Sequence, residues 1–339
     1  MRVGVIGASG YSGGELLRYL SRHPEFSTDY LAAGSNAGQL VSSLHPNLTD
    51  YKERRFEPVS VERANAMDLL FIALPHGESA KIASEIDSGV KVVDLGADFR
   101  LSSSSDWQKY YGGEHAGTWV YGLPEVHGRR GEIASANRVA NPGCYATAII
   151  LATLPVATAK LIDTTDITVV AASGTTGAGR SAKVNLLASE IMGGLTSYKF
   201  GGVHQHTPEI EEAIGRSTRT NTAISFTPIL APMPRGILAT ITARTSAKSR
   251  EQLLAVFHEY FQGERFIEIL TESLPKTTSV IGSNRVQIAV ALDSHTSRWI
   301  ASVAIDNLGK GAAGQAIQNA NLMLGFDETL ALDGFGLGS

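Results

Sequence analysis

Only one cysteine, Cys144, stands in the 339-residue chain, so no internal disulfide can form and a reducing compartment suits it best. Charge of one sign is not in excess either. The chain carries 29 Lys and Arg against 33 Asp and Glu, a net charge of −4, which leaves no electrostatic footprint for nucleic acid or an anionic membrane. A membrane-spanning run is missing. The longest nearly apolar stretch, Cys144 to Ala159, is broken by Pro155 and closed by Lys160; it falls short of the roughly 20 residues a span needs and reads as a buried helix. No charged leader precedes the first strand, Arg2-Val3-Gly4-Val5-Ile6, which makes the cytoplasm the expected compartment. Repeats, low-complexity tracts and Pro-rich linkers are absent. No Cys/His cluster offers a full ligand set, so no metal is expected.

What is present fits a globular enzyme, with 43% apolar and 18% charged residues. The length exceeds the roughly 250 to 300 residues at which single cores stop growing, and two closely joined domains are expected. Val3 to Ile6 runs directly into Gly7-Ala8-Ser9-Gly10-Tyr11-Ser12-Gly13-Gly14 and then the helical pattern Glu15 to Leu20. Strand, glycine turn and helix open a dinucleotide-binding βαβ unit, here spaced G-x-x-G-x-x-G. Glycine lets the backbone approach a pyrophosphate, the helix start supplies N–H donors, and Ser9 and Ser12 add hydroxyls. The second strand, read as Tyr30 to Asn36, ends in Ser35 and Asn36 where an NAD site would carry a carboxylate for the ribose 2′-hydroxyl. Its absence points to NADP, although no Arg or Lys follows closely and Gln39 is the nearest long polar side chain. Further apolar runs at 68–74 and 90–95 continue a doubly wound parallel sheet, and the loop after Leu74, Pro75-His76-Gly77, lies where such folds place ligands.

From about Asp166 the rhythm changes. Strands read at 167–171, 223–227, 237–242, 286–291 and 299–304 follow one another with turns between them, which implies a second, α+β domain built on a mixed or antiparallel sheet. Ser249 with Gln252 is a capping-box pattern. After Asp306-Asn307-Leu308 comes a glycine turn and a helix of small residues, which reads as a second backbone approach to a ligand or as a plain terminal helix.

Cys144 sits in Asn141-Pro142-Gly143-Cys144-Tyr145, a tight turn entering a helix. A thiol there meets unpaired backbone N–H groups and the positive dipole end, both favouring thiolate; the other reading is a small buried hydrophobe. A nucleophile needs a base, and two of the nine histidines fall in His204-Gln205-His206-Thr207-Pro208-Glu209. Thr207 reads as an N-cap and Pro208 as the first helical residue, placing His206 just before a helix to about Gly215, where the dipole keeps its ring neutral. In an extended segment His204 would share a face with it. Arg100, Arg180 and Arg235 lie in Gly- or Pro-marked loops and suit a substrate with more than one negative group, and Ser173 to Gly179 reads as an anion-cradling backbone nest.

These segments together resemble the N-acetyl-γ-glutamyl-phosphate reductases of arginine biosynthesis, nearly end to end: Gly7 to Gly13, Leu74 to Gly77, Asp94 to Arg100, Asn141 to Tyr145, His204 to Ile210, Pro234 to Ile237 and Asp306 to Gly311. Gln205 and Gln39 depart from the family, which often has Arg at the first and a basic residue at the second. The resemblance implies an NADP(H)-binding Rossmann-type domain over 1–143, rejoined by the C-terminal helix 308–339, and a catalytic and oligomerisation domain over 144–307. It implies a small acyl-phosphate substrate, a homodimer or homotetramer, and a thioester on Cys144, with His206 as the preferred acid–base group and His204 as its orienter or understudy. Cofactor contacts are then expected at Gly7, Ser9, Gly10, Tyr11, Ser12, Gly13, Ser35, Leu74, Pro75, Gly177 and Asn307. Substrate contacts are expected at Arg100, Asn141, Ser173, Gly174, Arg180 and Arg235. Other readings are a reductase of carrier-bound aminoadipyl or glutamyl phosphate, an aspartate-semialdehyde dehydrogenase, and a non-catalytic redox sensor switching on Cys144.

Overall fold

Strand β1 (Arg2–Ile6) pairs in parallel on both edges, with β2 (Ser27–Ala32) and with β3 (Leu69–Ile72). A strand covered on both faces must be apolar throughout, and all four residues of β3, Leu69 to Ile72, are fully buried. β4 (Lys91–Asp94), β5 (Val120–Tyr121) and β6 (Arg138–Ala140) complete a six-stranded parallel sheet in the order β2-β1-β3-β4-β6-β5. The computed structural model describes residues 1–338. They form two units, one of Met1–Pro124, Gly128–Pro142 and Ala312–Asp333, the other of Glu125–His127, Gly143–Gly311 and residues 334–338. No helix among the described residues is long and apolar enough to cross a membrane.

In the first unit, β2 stops at Ala32 rather than running to Asn36. The Ala33 amide turns away to the Glu57 carbonyl (2.9 Å), and Gly34 to Ala37 closes a turn (3.0 Å). The following backbone is held by Arg54 to Phe56, which joins it through a bridge between Leu40 and Arg55. Helix Gly314–Met323 also belongs to this unit, where Asn319 Nδ2 donates to the Gly122 carbonyl (2.9 Å) and to Asn141 Oδ1 (3.0 Å).

The second unit is built on a seven-stranded mixed sheet of β7 (Ile167–Ser173), β8 (Thr196–Ser197), β9 (Ile224–Leu230), β10 (Ile237–Arg244), β11 (Ile267–Leu270), β12 (Val286–Asp293) and β13 (Arg298–Ile305), ordered β11-β12-β13-β10-β7-β9-β8. Period-two burial marks its faces. Along β10, Ile237, Ala239, Ile241 and Ala243 are buried, whereas Leu238 and Thr240 face out beside Val170 of β7. The buried face is covered by helix Cys144–Thr158, which packs on β10, β13 and helices His206–Thr218 and Arg250–Tyr260. Tyr145 to Ala157 of that cysteine helix are all buried, as an all-round apolar helix requires. Pro155 does not end it: the proline falls in the last turn, where only one N–H is forgone and the helix continues to Thr158. Ser249 caps Arg250–Tyr260 by accepting from the Gln252 amide.

Candidate active site

In the first unit the glycine loop is held by its backbone. The Gly7 and Ala8 amides both donate to the Ala32 carbonyl (2.9 Å each), and Gly7 takes φ +90, a conformation favouring glycine. Gly10 is the N-cap of helix Tyr11–Leu20 and offers no side-chain cap, and the positive end of that helix suits an anion. Buried His45, which the sequence reading did not single out, donates from Nε2 to the Ala8 carbonyl (3.0 Å) and fills the space any side chain on Gly14 would need. Asn36 Nδ2 donates to Ser9 Oγ (3.1 Å), tying the end of the loop after β2 to the phosphate loop. After β3, the Leu74-Pro75 turn is clamped by buried Asp98, which accepts from the Gly77 (2.7 Å) and Ala80 (2.8 Å) amides. Asp94, fully buried and accepting from the Gly96 amide at Oδ1, has its carboxyl pushed up to about 7 by loss of solvent. A dinucleotide fits the amides, the Ser9 and Ser12 hydroxyls and the carboxylate-free turn after β2.

Cys144 is half-buried and is the first residue of its helix, with Gly143 as N-cap and no side chain capping the turn. Glu209 instead reaches across from the histidine helix, and its Oε1 accepts from the Gly143 amide (2.8 Å). Behind the thiol lies Gly311, part of a π-helix Gly309–Ala313; a Cβ there would come within 2.8 Å of Cys144 Cβ. The neighbouring Lys310 is fully buried in an ion pair with Glu125 (2.5 Å) and lies over the Phe266 ring. Glu209, Gly311 and the Glu125–Lys310 pair are contributions the sequence reading missed; the Gly-Lys-Gly run is the one local signal for the last two.

The histidine helix begins at His206, two residues earlier than the cap pattern predicts, and runs past Gly215 to Thr218. Proline is tolerated anywhere in a first turn, so Pro208 fits as the third helical residue as well as the first. The segment before it is not extended: Gln205 is in the right-handed helical region, and the His206 amide donates to His204 Nδ1 (3.1 Å). The two rings lie 4.8 Å apart, edge on face, and Tyr145 packs against both (5.5 Å to His204, 6.1 Å to His206). Tyr145, the residue after the thiol, therefore brings the cysteine and histidine segments together. Its hydroxyl accepts from Tyr198 (3.2 Å), and burial raises both phenols, that of Tyr198 to about 12. Burial, then the facing His206 and Lys199, drives His204 down to about 2, so it is neutral at any working pH. Lys199 Nζ donates to Gln205 Oε1, which places a cation beside the residue between the two histidines.

The three loop arginines differ in what they touch. Arg100 donates to the Asn141 and Leu95 carbonyls (2.8 Å each) inside the first unit, where Asn141 is itself held by the Ala312 carbonyl and Asn319. Arg235 forms a two-pronged pair with fully buried Asp306 (3.2 and 2.5 Å). Asn307 accepts from the Gly236 amide (2.7 Å) and donates to Thr176 Oγ1 (3.0 Å). Ser173 to Gly179 is not an open anion nest: the Gly174, Thr175 and Thr176 amides donate to the Gly236, Met233 and Pro234 carbonyls, and Ser173 is buried. Gly177 and half-exposed Arg180 lie at the free edge of that loop.

Comparison with known proteins places these two constellations in context. Residues 2–136 match the family described as semialdehyde dehydrogenase, NAD binding domain, and residues 144–307 match semialdehyde dehydrogenase, dimerisation domain. The chain is 52% identical over 333 residues to the N-acetyl-gamma-glutamyl-phosphate reductase of Acidothermus cellulolyticus, covering 98% of this chain and 97% of the relative. It is 50% identical over 337 residues to the enzyme of that name from Frankia casuarinae, covering 99% and 98%. Among solved structures it is similar in fold to aspartate semialdehyde dehydrogenase with NADP from Candida albicans (TM-score 0.72, 17% identity, 95% and 98% covered). Aspartate semialdehyde dehydrogenase II from Vibrio cholerae is similar too (TM-score 0.70, 21% identity, 95% and 98% covered).

Proposed function

The chain belongs to the semialdehyde dehydrogenase family, among its N-acetyl-gamma-glutamyl-phosphate reductases, and from that membership we propose that Cys144 carries the acyl group as a thioester. The protein is an NADP-dependent acyl-phosphate reductase of arginine biosynthesis that converts N-acetyl-γ-glutamyl phosphate to the semialdehyde and phosphate. One observation supports the cysteine's role above the others: the thiol opens a helix whose N-cap amide is tied by Glu209 to the first turn of the helix carrying His206.

The chemistry follows from that pairing. First-turn amides and the helix dipole favour the Cys144 thiolate, which attacks the acyl carbon; the C–S bond forms as the C–O bond to phosphate breaks. The Gly7 to Gly13 loop, Ser35 and the Leu74-Pro75 turn would hold NADPH, which would supply the hydride that reduces the thioester. His206, which takes the thiol proton as the thiolate forms, then donates it to the resulting oxyanion and takes it back as the C–S bond breaks, releasing aldehyde and thiolate. His204, buried and neutral, orients this group through the His206 amide. Arg180 and Lys199 supply positive charge for the substrate's negative groups, and Arg235 is braced by Asp306 within the second unit. Assembly into homodimers or homotetramers uses the open face of the second sheet, where Val170 and Leu238 are exposed, and the single thiol suits a reducing cytoplasm. Phosphate-dependent oxidation of N-acetylglutamate semialdehyde tests the reading: wild type should require inorganic phosphate, and a Cys144→Ser enzyme with normal turnover would refute the thioester.

A further inference from the structure

We propose that Arg55 recognises the 2′-phosphate of NADP(H), taking over a task that the sequence around Gln39 leaves without a cation. The proposal rests on NADP(H) being the cofactor. The loop after β2 is carboxylate-free and offers Ser35 and Asn36, but Gln39 is neutral and its Nε2 is turned back onto Asn36 Oδ1 (3.2 Å). Arg55 reaches the same loop from a later segment. The Phe56 amide donates to the Gln39 carbonyl (2.9 Å), the Gly38 amide donates to the Phe56 carbonyl (2.8 Å), and Leu40 bridges Arg55, so backbone pairing on both sides sets the position. The exposed guanidinium donates from Nη1 to the Gly38 carbonyl (2.8 Å). A carbonyl anchors the fork without neutralising it, and Nε and Nη2 have no protein partner among the described residues. A phosphate dianion is the ligand such a pinned, uncompensated fork suits.

Neighbouring cations are placed for other work. Arg54 donates to the Thr28 and Asp29 carbonyls, at the start of β2 rather than beyond its end, and Arg63 is paired with Glu57 (3.0 Å). The ribose of a dinucleotide lies beyond the carboxyl end of the second strand in this fold. Among the described residues, only Arg55 combines that location with an unpaired charge.

The test uses the full-length protein and binding alone, by calorimetry with NADPH, NADH, 2′,5′-ADP and 5′-AMP. Wild type should bind NADPH over NADH and 2′,5′-ADP over 5′-AMP. Arg55→Ala and Arg55→Gln, the latter still able to donate to Gly38, should weaken NADPH and 2′,5′-ADP by about tenfold or more while leaving NADH and 5′-AMP within about twofold. Arg55→Lys should recover part of the loss. A wild-type preference that survives in both neutral variants would overturn the assignment. So would an equal loss for all four ligands, which would make Arg55 a brace for the loop. A wild-type protein that binds NADH as well as NADPH would overturn the cofactor reading itself, a result distinguishable from the other two.

Discussion

The first unit builds its site from main chain, the second from side chains. Gly7, Ala8 and Gly10 contribute through backbone amides and the absence of side-chain bulk, with His45 and Asp98 holding the loops from behind. In the second unit Cys144, Tyr145, Tyr198, His204, His206 and Glu209 come from three separate stretches of chain and meet through their functional groups. A backbone site tolerates change in nearly every side chain around it and is intolerant of added atoms. A side-chain site behaves the other way. The buried titrating groups differ in the same sense: an acid whose pKa is raised in the first unit, a base whose pKa is lowered in the second.

The sharpest way to break this contrast is to damage one site and read the other. Cys144→Ser should lower turnover by at least about a thousandfold, because a serine hydroxyl stays protonated near neutral pH, and should leave the NADPH dissociation constant unchanged. Gly7→Ala should do the reverse: the added Cβ is driven onto the Ala73 carbonyl at a positive φ, so NADPH binding is lost while iodoacetamide still labels Cys144 at the wild-type rate. Equal slowing of alkylation in Gly7→Ala would show that the sites are not separable. Next in size, His206→Asn should lower kcat by about a hundredfold to ten-thousandfold, the usual worth of acid–base help, and His204→Asn by less.

Smaller effects sharpen the contrast. Glu209→Gln keeps an acceptor for the Gly143 amide but removes a buried negative charge beside the thiol. It should cost about tenfold in kcat/KM and move the alkylation pH profile of Cys144 downward, whereas a purely structural change would leave the profile in place. The smallest effect is in stability. Asp94 has a folded pKa raised to about 7, so its stabilisation is complete below 3.8 and is lost as pH rises through 7. His204 has a folded pKa lowered to about 2, so its stabilisation is present above 6.5 and is lost as pH falls toward 2. Denaturant midpoints should therefore show Asp94→Asn gaining on wild type from pH 4.5 to 7.5, and His204→Gln gaining from pH 7.5 to 4.5. Parallel trends in the two variants would contradict the opposed environments.

The same division decided what could be read from sequence. Apolar runs and a glycine turn are local, so the parallel sheet and phosphate loop were visible in Val3 to Gly13 and Leu69 to Ile72. The second sheet was visible as strands but not as an order, because pairing β7 between β9 and β10 depends on distant chain. Cys144 was conspicuous as the sole thiol before a helix, and His206 through the Thr-Pro pattern, though helix propensity placed its start too late. What each arginine touches was beyond reach: nothing near Arg235 announces Asp306, and nothing near Gln39 announces Arg55. Glu209 is one helical turn from His206, a spacing that hints at a shared role, but its partner Gly143 lies 66 residues away.

The return of Ala312–Asp333 to the first unit governs the order in which the chain can be completed on the ribosome. Domains ordinarily finish in the order of synthesis, N-terminal first. Here Asn319 bonds to Gly122 and Asn141, Asn321 bonds to His23, and Glu328 pairs with Arg130, so the first sheet waits for residues translated after the whole of the second. The unit begun first is closed last, and a nascent chain stalled before Ala312 exposes the surface of the parallel sheet that its own end is meant to cover.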